Sequence, residues 1–348
     1  MVINMQEQIT QLVGQAQKIL VIQADNPDAD SLGSSLALEH IVGDLGKDVY
    51  MYCGVDMPTY LRYLTGWDRV RNELPSTFDL SIIVDASTYT LFEQIEKGGN
   101  WGAIRSKPAI ILDHHTVVEK PLDFASVSLV DSAYASTGEL IFELARTNGW
   151  RVSKDAATHI MSTILGDTQG LMNDQTTART YRAMADLTDL GANRPLLEEI
   201  RREYSRMPES IFRYKAELIE RMEFSAGNRI AHVAIPQAEI NEHSPHYNPA
   251  VLVQFDSLQV EHVEISIVFK IYDNGKITGK LRCNYSAPIA AKLAEHFGGG
   301  GHPHSAGFKV TNGRPFNEVK SECIEFAEQL LNNLEQEQPD ETLQHTNT

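Results

Sequence analysis

Short apolar runs recur in the first half of the chain and alternate with segments that have helical periodicity. Runs of this length bounded by polar residues or glycine are typical of buried strands, and strands separated by helices are typical of a parallel sheet. The predicted strands are KILVIQA (18–24), DVYMYCG (48–54), FDLSIIVDA (78–86) and PAIILDHH (108–115). The sequence therefore predicts an α/β fold, with a doubly wound, mainly parallel sheet in a domain that spans residues 1–191.

The second half of the chain has a different pattern. Residues 192–224 are rich in charge and in helix formers, so they are predicted to form a helical linker. β-like runs and a DNGK turn signal then predict a smaller α/β domain over residues 225–334. The final segment, 335–348, has few apolar side chains and is predicted to be a disordered tail.

Composition limits the kind of partner that the protein can bind. The net charge of −17 is spread along the chain, so no broad basic face is available to hold a long nucleic acid. A polyanionic substrate is expected to be small and to bind where metal ions or a few cations reverse the local potential. Three cysteines without CxxC spacing indicate a reducing compartment. A polar N-terminus and the lack of a long apolar run predict a cytoplasmic protein without a membrane span.

Ionisable side chains stand at the ends of several predicted elements. In an open α/β sheet, ligands bind beyond the carboxyl ends of the strands, so these side chains are expected to converge. The residues are Asp28 and Asp30 after the first run, Asp85 after the third, Asp113, His114 and His115 after the fourth, and Asp167 at the end of MSTILGD. A single aspartate after a strand is more often an N-cap, but its recurrence at four element ends favours a functional site.

A cluster of this composition predicts bound divalent metal. Several carboxylates brought together repel one another and raise each other's pKa unless cations neutralise them. Oxygen ligands with one imidazole nitrogen favour Mn²⁺ or Mg²⁺ over Zn²⁺. Two such ions bridged by a carboxylate are a common arrangement for the hydrolysis of phosphodiesters and phosphoanhydrides. We therefore expect two ions, Mn²⁺ or alternatively Mg²⁺.

The chain resembles the DHH phosphoesterase superfamily, in the branch with the DHH-associated C-terminal domain. Its motifs are NPDADSLGS, IVDAS, DHH and GDTQG, followed by GKLRCN and GGGGHPHSAGF in the second domain. The metal ligands implied by this resemblance are Asp28, Asp30, Asp85, His114 and Asp167. It also implies that Asp85 bridges the two ions, that His115 contacts the scissile phosphate, and that Asp113 orients an imidazole.

Four consecutive glycines in the second domain, residues 298–301, indicate either a flexible loop or a close backbone approach. Arg282, His302 and His304 add donors suited to a phosphate or a nucleobase. The resemblance implies that Arg282, Gly299, Gly300, Gly301 and His302 bind the part of the substrate that lies away from the metals. The active site would then lie in a cleft between the domains. The metals would bind one end of a short substrate and the second domain would bind the other.

One position departs from the family pattern. The family usually has a histidine four residues before the first aspartate, where this chain has Ala24. Asp25, Asn26 or water could replace that ligand, or one ion could bind weakly and arrive with the substrate. Alternatively, catalysis could be impaired.

The expected function is metal-assisted hydrolysis of short oligonucleotides or linear dinucleotides to nucleoside 5′-monophosphates. Cyclic dinucleotides, phosphoadenosine phosphate and a regulatory nucleotide-binding role are the alternatives. Pyrophosphate or polyphosphate hydrolysis would require a second domain richer in Lys and Arg. Family members are often dimeric, so a homodimer is possible, although the apolar pattern identifies no contact surface.

Overall fold

A computed structural model describes residues 5–115, 120–243 and 249–337. The chain divides into two compact units, Met1–Arg206 and Met207–Thr348. All three cysteines are free and buried. Among the described helices, none combines the length and apolar character needed to cross a membrane. Most of the predicted tail, from residue 338 onwards, lies outside the described residues.

The first unit contains alternating strands and helices. The strands are β1 (Lys18–Gln23), β2 (Asp48–Cys53), β3 (Leu80–Val84), β4 (Ala109–Asp113) and β5 (Val127–Val130). The α-helices are α1 (Met5–Gln15), α2 (Ala29–Gly43), α3 (Glu93–Lys97), α4 (Trp101–Arg105), α5 (Thr137–Thr147), α6 (Lys154–Asp167), α7 (Ala178–Asp189) and α8 (Arg194–Tyr204). Single-turn 3-10 helices span Thr59–Leu61, Trp67–Arg69 and Tyr89–Leu91.

The five strands form one parallel sheet in the order β2-β1-β3-β4-β5. Successive residues of β1 enter different cores: Ile19 and Val21 pack in one apolar cluster, whereas Leu20 and Ile22 pack in another. Both faces of the sheet are therefore buried, as a doubly wound parallel sheet requires. The prediction of this sheet is confirmed. The edge strand β5 was not predicted, because its residues alternate between burial and exposure.

Close helix packing positions the ends of α2 and α5. A Cβ added at Gly33 would lie 2.6 Å from Cγ2 of Thr163, and one added at Gly138 would lie 2.0 Å from Oγ1 of the same threonine. Glycine at both positions therefore lets α2 and α5 approach α6 more closely than any other residue would allow. The N-terminal turns of α2 and α5 consequently meet beside the sheet, which places their backbone N–H groups near the strand ends.

The second unit has a mixed six-stranded sheet in the order β10-β11-β9-β8-β7-β6. Its strands are β6 (Glu223–Ser225), β7 (Ile230–Pro236), β8 (Ile265–Ile271), β9 (Ile277–Cys283), β10 (Gly300–His302) and β11 (Ser305–Val310). Its helices are α9 (Glu209–Glu220), α10 (Gln237–His243), α11 (Pro249–Ser257), α12 (Ala290–His296) and α13 (Phe316–Glu337). The predicted hairpin joins β8 to β9, with Gly275 in the left-handed region at φ 79°.

The segment predicted as a linker forms two helices that belong to different units. The division after Arg206 leaves α8 in the first unit, where Leu197 joins the main apolar cluster. Helix α9 belongs to the second unit, where Tyr214 and Leu218 pack with residues of β7 and α11. Pro208 precedes α9 and breaks the helical run, as its fixed φ and missing N–H require.

Candidate metal centre

The ends of β1, β3 and β4 bring acidic and imidazole side chains together. These strands are neighbours in the sheet, so the residues that follow them meet at its carboxyl edge. Ligand atoms of Asp85, His114 and His115 all lie within 4.8 Å of one another, and the same holds for Asp30, His114 and Asp167. The two groups share His114. Convergence of these residues, which the sequence predicted, is therefore observed.

Asp30 is fully buried and is held by the N-terminus of α5. Its Oδ2 accepts a hydrogen bond of 2.7 Å from the backbone N–H of Thr137, and its Oδ1 accepts one of 3.1 Å from that of Gly138. The Ser34 hydroxyl lies 3.1 Å from Oδ1. Donors at a helix N-terminus compensate part of the cost of burying this carboxylate. The side chain is thus fixed before any cation binds.

His114 lies at the centre of the carboxylate cluster. Its Nε2 is 3.1 Å from Asp167, 3.6 Å from Asp30 and 3.7 Å from Asp85. Its Nδ1 is 3.3 Å from the carbonyl oxygen of Tyr134, so an Nδ1–H donor there would direct the Nε2 lone pair at the cluster. Burial alone would lower the pKa of His114, but the hydrogen bond to Asp167 and the charge of Asp30 outweigh it and raise the pKa to about 9.

Burial and mutual repulsion raise the pKa values of two carboxylates in the cluster. Burial, followed by the charge of Asp30, raises the pKa of Asp167 to about 7. Burial and the charges of Asp30, Asp28 and Asp167 raise the pKa of Asp85 well above its ordinary value. Mutual repulsion in a buried site is what bound divalent cations relieve. The oxygen-rich set with one shared imidazole therefore fits Mn²⁺ or Mg²⁺.

Asp85 follows β3 directly and has left-handed backbone geometry, with φ at 58°. Few non-glycine residues adopt this conformation, although aspartate tolerates it better than most. The hydroxyl of Thr137 donates a hydrogen bond of 3.1 Å to Oδ1 of Asp85. This backbone geometry turns the carboxylate towards His114. In a residue that continued the strand, the side chain would point elsewhere.

Asp113 and His115 form a second pair at the same edge. Oδ1 of buried Asp113 accepts the backbone N–H of His115 at 3.1 Å and lies 2.8 Å from its Nδ1. This hydrogen bond raises the pKa of His115. Burial would raise the pKa of Asp113, but the hydrogen bonds to His115 lower it overall. Such a pair orients the imidazole and favours its protonated form, while the His115 side chain remains 40% exposed.

Asp28 has a structural contact in addition to its predicted role. It is the N-cap of α2: its Oδ1 accepts the backbone N–H groups of Asp30 and Ser31 at 3.0 Å each, and Ser31 completes a capping box. Asp28 lies outside the two ligand groups described above. Within the described residues, its Oδ2 has no hydrogen-bond donor, so one oxygen is free to contact a cation.

Ala24 is buried in an apolar cluster. Oδ2 of the neighbouring Asp25 accepts the backbone N–H of Gln94 at 2.8 Å, and its Oδ1 is buried without a partner. Asp25 belongs to neither ligand group among the described residues. Its carboxylate therefore does not replace the histidine that the family pattern has at position 24.

The remaining predicted site residues lie in the second unit. Arg282 on β9 is half-buried, burial lowers its pKa, and its guanidinium is 5.9 Å from the Phe255 ring centre. Added Cβ atoms at Gly299 and Gly301 would lie 2.2 Å and 2.6 Å from backbone atoms of β11, whereas Gly300 has open space. The close approach that the glycines permit is therefore to β11, within the sheet. His302 ends β10.

Sequence reasoning missed Thr137, whose N–H and hydroxyl contact two of the central carboxylates. The available signal was the segment STGEL, in which Ser136 is the N-cap of α5. In the second unit, Lys280 occupies the same face of β9 as Arg282, because strand side chains alternate.

Together, the fold and the site define an α/β protein whose acidic and imidazole side chains at the carboxyl edge of a parallel sheet are suited to hold a divalent cation. More specifically, the sequence matches the DHH family, N-terminal domain, over residues 18–164 and the DHHA1 domain over residues 252–333. The chain therefore belongs to the DHH superfamily, in the branch that carries both domains. This confirms the resemblance inferred from the motifs.

Three known proteins place this membership in context. A Thermus thermophilus protein named bifunctional oligoribonuclease and PAP phosphatase NrnA is 26% identical over 285 residues, covering 81% of each chain. The crystal structure of an exopolyphosphatase-related protein from Bacteroides fragilis has a TM-score of 0.82 at 22% identity, covering 94% of this chain and 97% of that one. RecJ from Thermus thermophilus in complex with Mn²⁺ has a TM-score of 0.54 at 17% identity, covering 93% of this chain and 54% of that one. The two structures support the fold.

Proposed function

We propose that this protein is a metal-dependent phosphodiesterase that hydrolyses short oligonucleotides or linear dinucleotides to nucleoside 5′-monophosphates. The observation that carries the proposal is the pair of ligand groups that share His114 at the sheet edge. The likeness to the oligoribonuclease and PAP phosphatase from Thermus thermophilus supports the substrate class. The net charge of −17 argues against an extended surface that binds long nucleic acids.

We assign the cations to the carboxylates at the sheet edge. The proposed ligands are Asp28, Asp30, Asp85, His114 and Asp167. Asp85, which belongs to one of the two ligand groups and lies 3.7 Å from the shared His114, would serve both ions. Mn²⁺ is favoured, with Mg²⁺ as the alternative, because oxygen ligands dominate the set. When bound, such cations polarise a phosphate ester and promote ionisation of the attacking water.

The chain's own residues prepare the substrate for this chemistry. Asp113 holds Nδ1 of His115, which leaves Nε2 of the partly exposed imidazole to donate to the scissile phosphate. Thr137 positions Asp85 and Asp30 through separate atoms. Arg282, Gly299, Gly300, Gly301 and His302 bind the nucleotide portion away from the reacting phosphorus.

The direct test is product formation by purified protein from a 5′-phosphorylated dinucleotide. A trinucleotide, a cyclic dinucleotide, phosphoadenosine phosphate and pyrophosphate are assayed in parallel, each with Mn²⁺, Mg²⁺ or chelator. Mononucleotides that appear only with metal, and fastest from the linear dinucleotide, are the expected result. A faster reaction with phosphoadenosine phosphate would instead make the phosphatase activity primary.

Absence of product from every substrate would overturn the proposed enzyme. Tight nucleotide binding without turnover would then identify the regulatory alternative, with Ala24 as the reason for the lost activity. Ala24→His tests that outcome, because it adds the imidazole that the family pattern places there. Turnover by the unmodified protein would show that this ligand is dispensable.

A further inference from the structure

Two rings are stacked at one end of the mixed sheet. Tyr285 follows β9 by two residues and His304 directly precedes β11, and their rings are parallel within 4° with centres 5.5 Å apart. Nε2 of His304 lies 3.2 Å from the carbonyl oxygen of Tyr285, and the carbonyl of His304 accepts the N–H of Cys283 at 3.0 Å. These contacts hold the His304 ring against the backbone of Tyr285 and tie the His304 backbone to β9.

Core packing does not account for the tyrosine. Tyr285 is 74% exposed, belongs to neither apolar cluster of this unit, and has His304 as the ring stacked against it. An exposed aromatic ring that is already stacked on a neighbour is suited to stacking on another flat ring, because less side-chain freedom remains to be lost. Nucleobases stack on such rings in proteins that bind single-stranded nucleic acids.

Two cations stand next to this pair. Lys280 and Arg282 lie on one face of β9, and Arg282 pairs in register with Ser305, the residue after His304. Neither cation has a carboxylate partner within the parts of the chain that the structure describes. Uncompensated neighbouring cations attract an anion, and the guanidinium can bind a phosphate with two parallel hydrogen bonds.

We propose that Tyr285, backed by His304, is the stacking platform for a nucleobase, and that Lys280 acts with Arg282 on the phosphate attached to it. The proposal rests on the proposed function and deepens it, because it divides recognition of the nucleotide between a base contact and a phosphate contact. Stacking accepts any base, with purines presenting the larger ring. The platform therefore binds nucleotides in preference to sugar phosphates.

Calorimetry on the full chain in chelator tests the platform independently of turnover. GMP and ribose 5-phosphate are the probes, since they share the phosphate and differ in the base. The unmodified protein should bind GMP about tenfold more tightly than ribose 5-phosphate. Tyr285→Ala should abolish that difference and leave ribose 5-phosphate binding unchanged, whereas Tyr285→Phe should retain it. Lys280→Met should weaken binding of both probes.

Matched controls separate this proposal from the proposed function. Tyr181→Ala removes another exposed tyrosine, from α7 in the first unit, and should leave both affinities unchanged. Equal binding of the two probes by the unmodified protein, or unaltered GMP preference in Tyr285→Ala, would refute the platform even if dinucleotides are hydrolysed. Conversely, a base preference that depends on Tyr285 in a protein without turnover would support the platform and refute only the enzyme.

Discussion

The two sheets carry charge in opposite ways. At the edge of the parallel sheet the charges are negative, buried and tied to backbone donors: Asp30 is fully buried and is bonded to the N-terminus of α5. On the mixed sheet they are positive and more accessible: Lys280 is exposed and Arg282 half-buried. In the first arrangement, the carboxylates repel one another until a small cation binds. In the second, the cations are accessible to an organic anion.

The buried cluster and the cation face are expected to control different properties of the protein. Removing a charge from the buried cluster changes protonation, metal affinity and folding stability together, because the carboxylates interact strongly in a medium of low polarity. Removing a cation from the mixed sheet should change ligand affinity with little effect on stability, because that charge is better hydrated. Substitutions in the two regions can therefore test whether stability and ligand affinity are controlled separately.

The largest effect is expected for Asp85→Asn. If Asp85 serves both ions as proposed, its loss should reduce turnover about a thousandfold or more, since metal catalysis supplies several kcal/mol. The metal-free variant should nevertheless melt at a higher temperature than the unmodified protein, because a buried repelling charge has gone. Metal analysis, turnover and thermal unfolding in chelator measure these effects.

Asp48→Asn is the matched control for this prediction. Asp48 is an exposed aspartate at the amino end of β2, the opposite edge of the same sheet, so its replacement should change none of the three measurements. Destabilisation of metal-free Asp85→Asn would contradict the view that the cluster stores repulsion.

Arg282→Ala should have the next largest effect. Loss of a charge-assisted hydrogen bond costs about 1.5–3 kcal/mol, which predicts a decrease of about 10- to 100-fold in kcat/KM for a dinucleotide. The loss should appear mainly in KM, with metal content unchanged. Arg282→Lys keeps the charge but not the planar fork, so intermediate kinetics are expected. Kinetics identical to those of the unmodified protein would exclude Arg282 from substrate binding.

The pH dependence of stability should distinguish the buried cluster from the cation face. The pKa of Asp167 is about 7 in the folded, metal-free protein against an ordinary value of 3.8, so folding retains a proton that the unfolded chain releases. The free energy of unfolding should therefore fall as the pH rises between these values. The raised pKa of His114 acts in the same direction: its stabilisation is complete below 6.5 and is lost as the pH rises through about 9.

Thermal unfolding in chelator from about pH 5 to 9 measures this dependence. The midpoint should fall by at least a few degrees across the range, because a change of 1 kcal/mol shifts it by about 2–4 °C in a chain of such size. Asp167→Asn should flatten the curve, whereas Lys280→Met should leave its slope unchanged. A slope that Asp167→Asn does not alter would show that the cluster is not its source.

The smallest effect is expected for Thr137→Val, which removes one hydroxyl donor to Asp85 and keeps the backbone N–H that binds Asp30. A neutral hydrogen bond contributes about 0.5–1.5 kcal/mol, so turnover should fall about 2- to 13-fold with metal still bound. Thr137→Ser retains the hydroxyl and should behave like the unmodified protein. Equal losses in both variants would indicate that side-chain packing is responsible instead.

Sequence reasoning found most of the metal cluster because parallel topology leaves little choice about where strand ends meet. Asp30, Asp85 and His114 each follow a strand, and the strands are adjacent. What it missed depends on contacts that have no local pattern. The role of Thr137 arises only when helix packing brings the start of α5 to Asp30, more than a hundred residues earlier in the chain.

The second unit was harder to predict for a related reason. The glycine run was consistent with a flexible loop or with a close backbone approach, and only the register of β10 and β11 shows an approach within the sheet. Lys280 could have been found from strand alternation with Arg282, whereas the stack of Tyr285 on His304 joins residues from separate strand ends. Local signals predict elements more readily than they predict which loops lie side by side.

The left-handed backbone at Asp85 has a consequence for how this sequence can drift. Glycine and asparagine both adopt that conformation readily, and either would remove the buried negative charge. Either substitution would therefore increase the stability of the metal-free chain while removing the carboxylate on which the proposed function depends. A related chain with glycine or asparagine at this position would be expected to bind nucleotides without hydrolysing them.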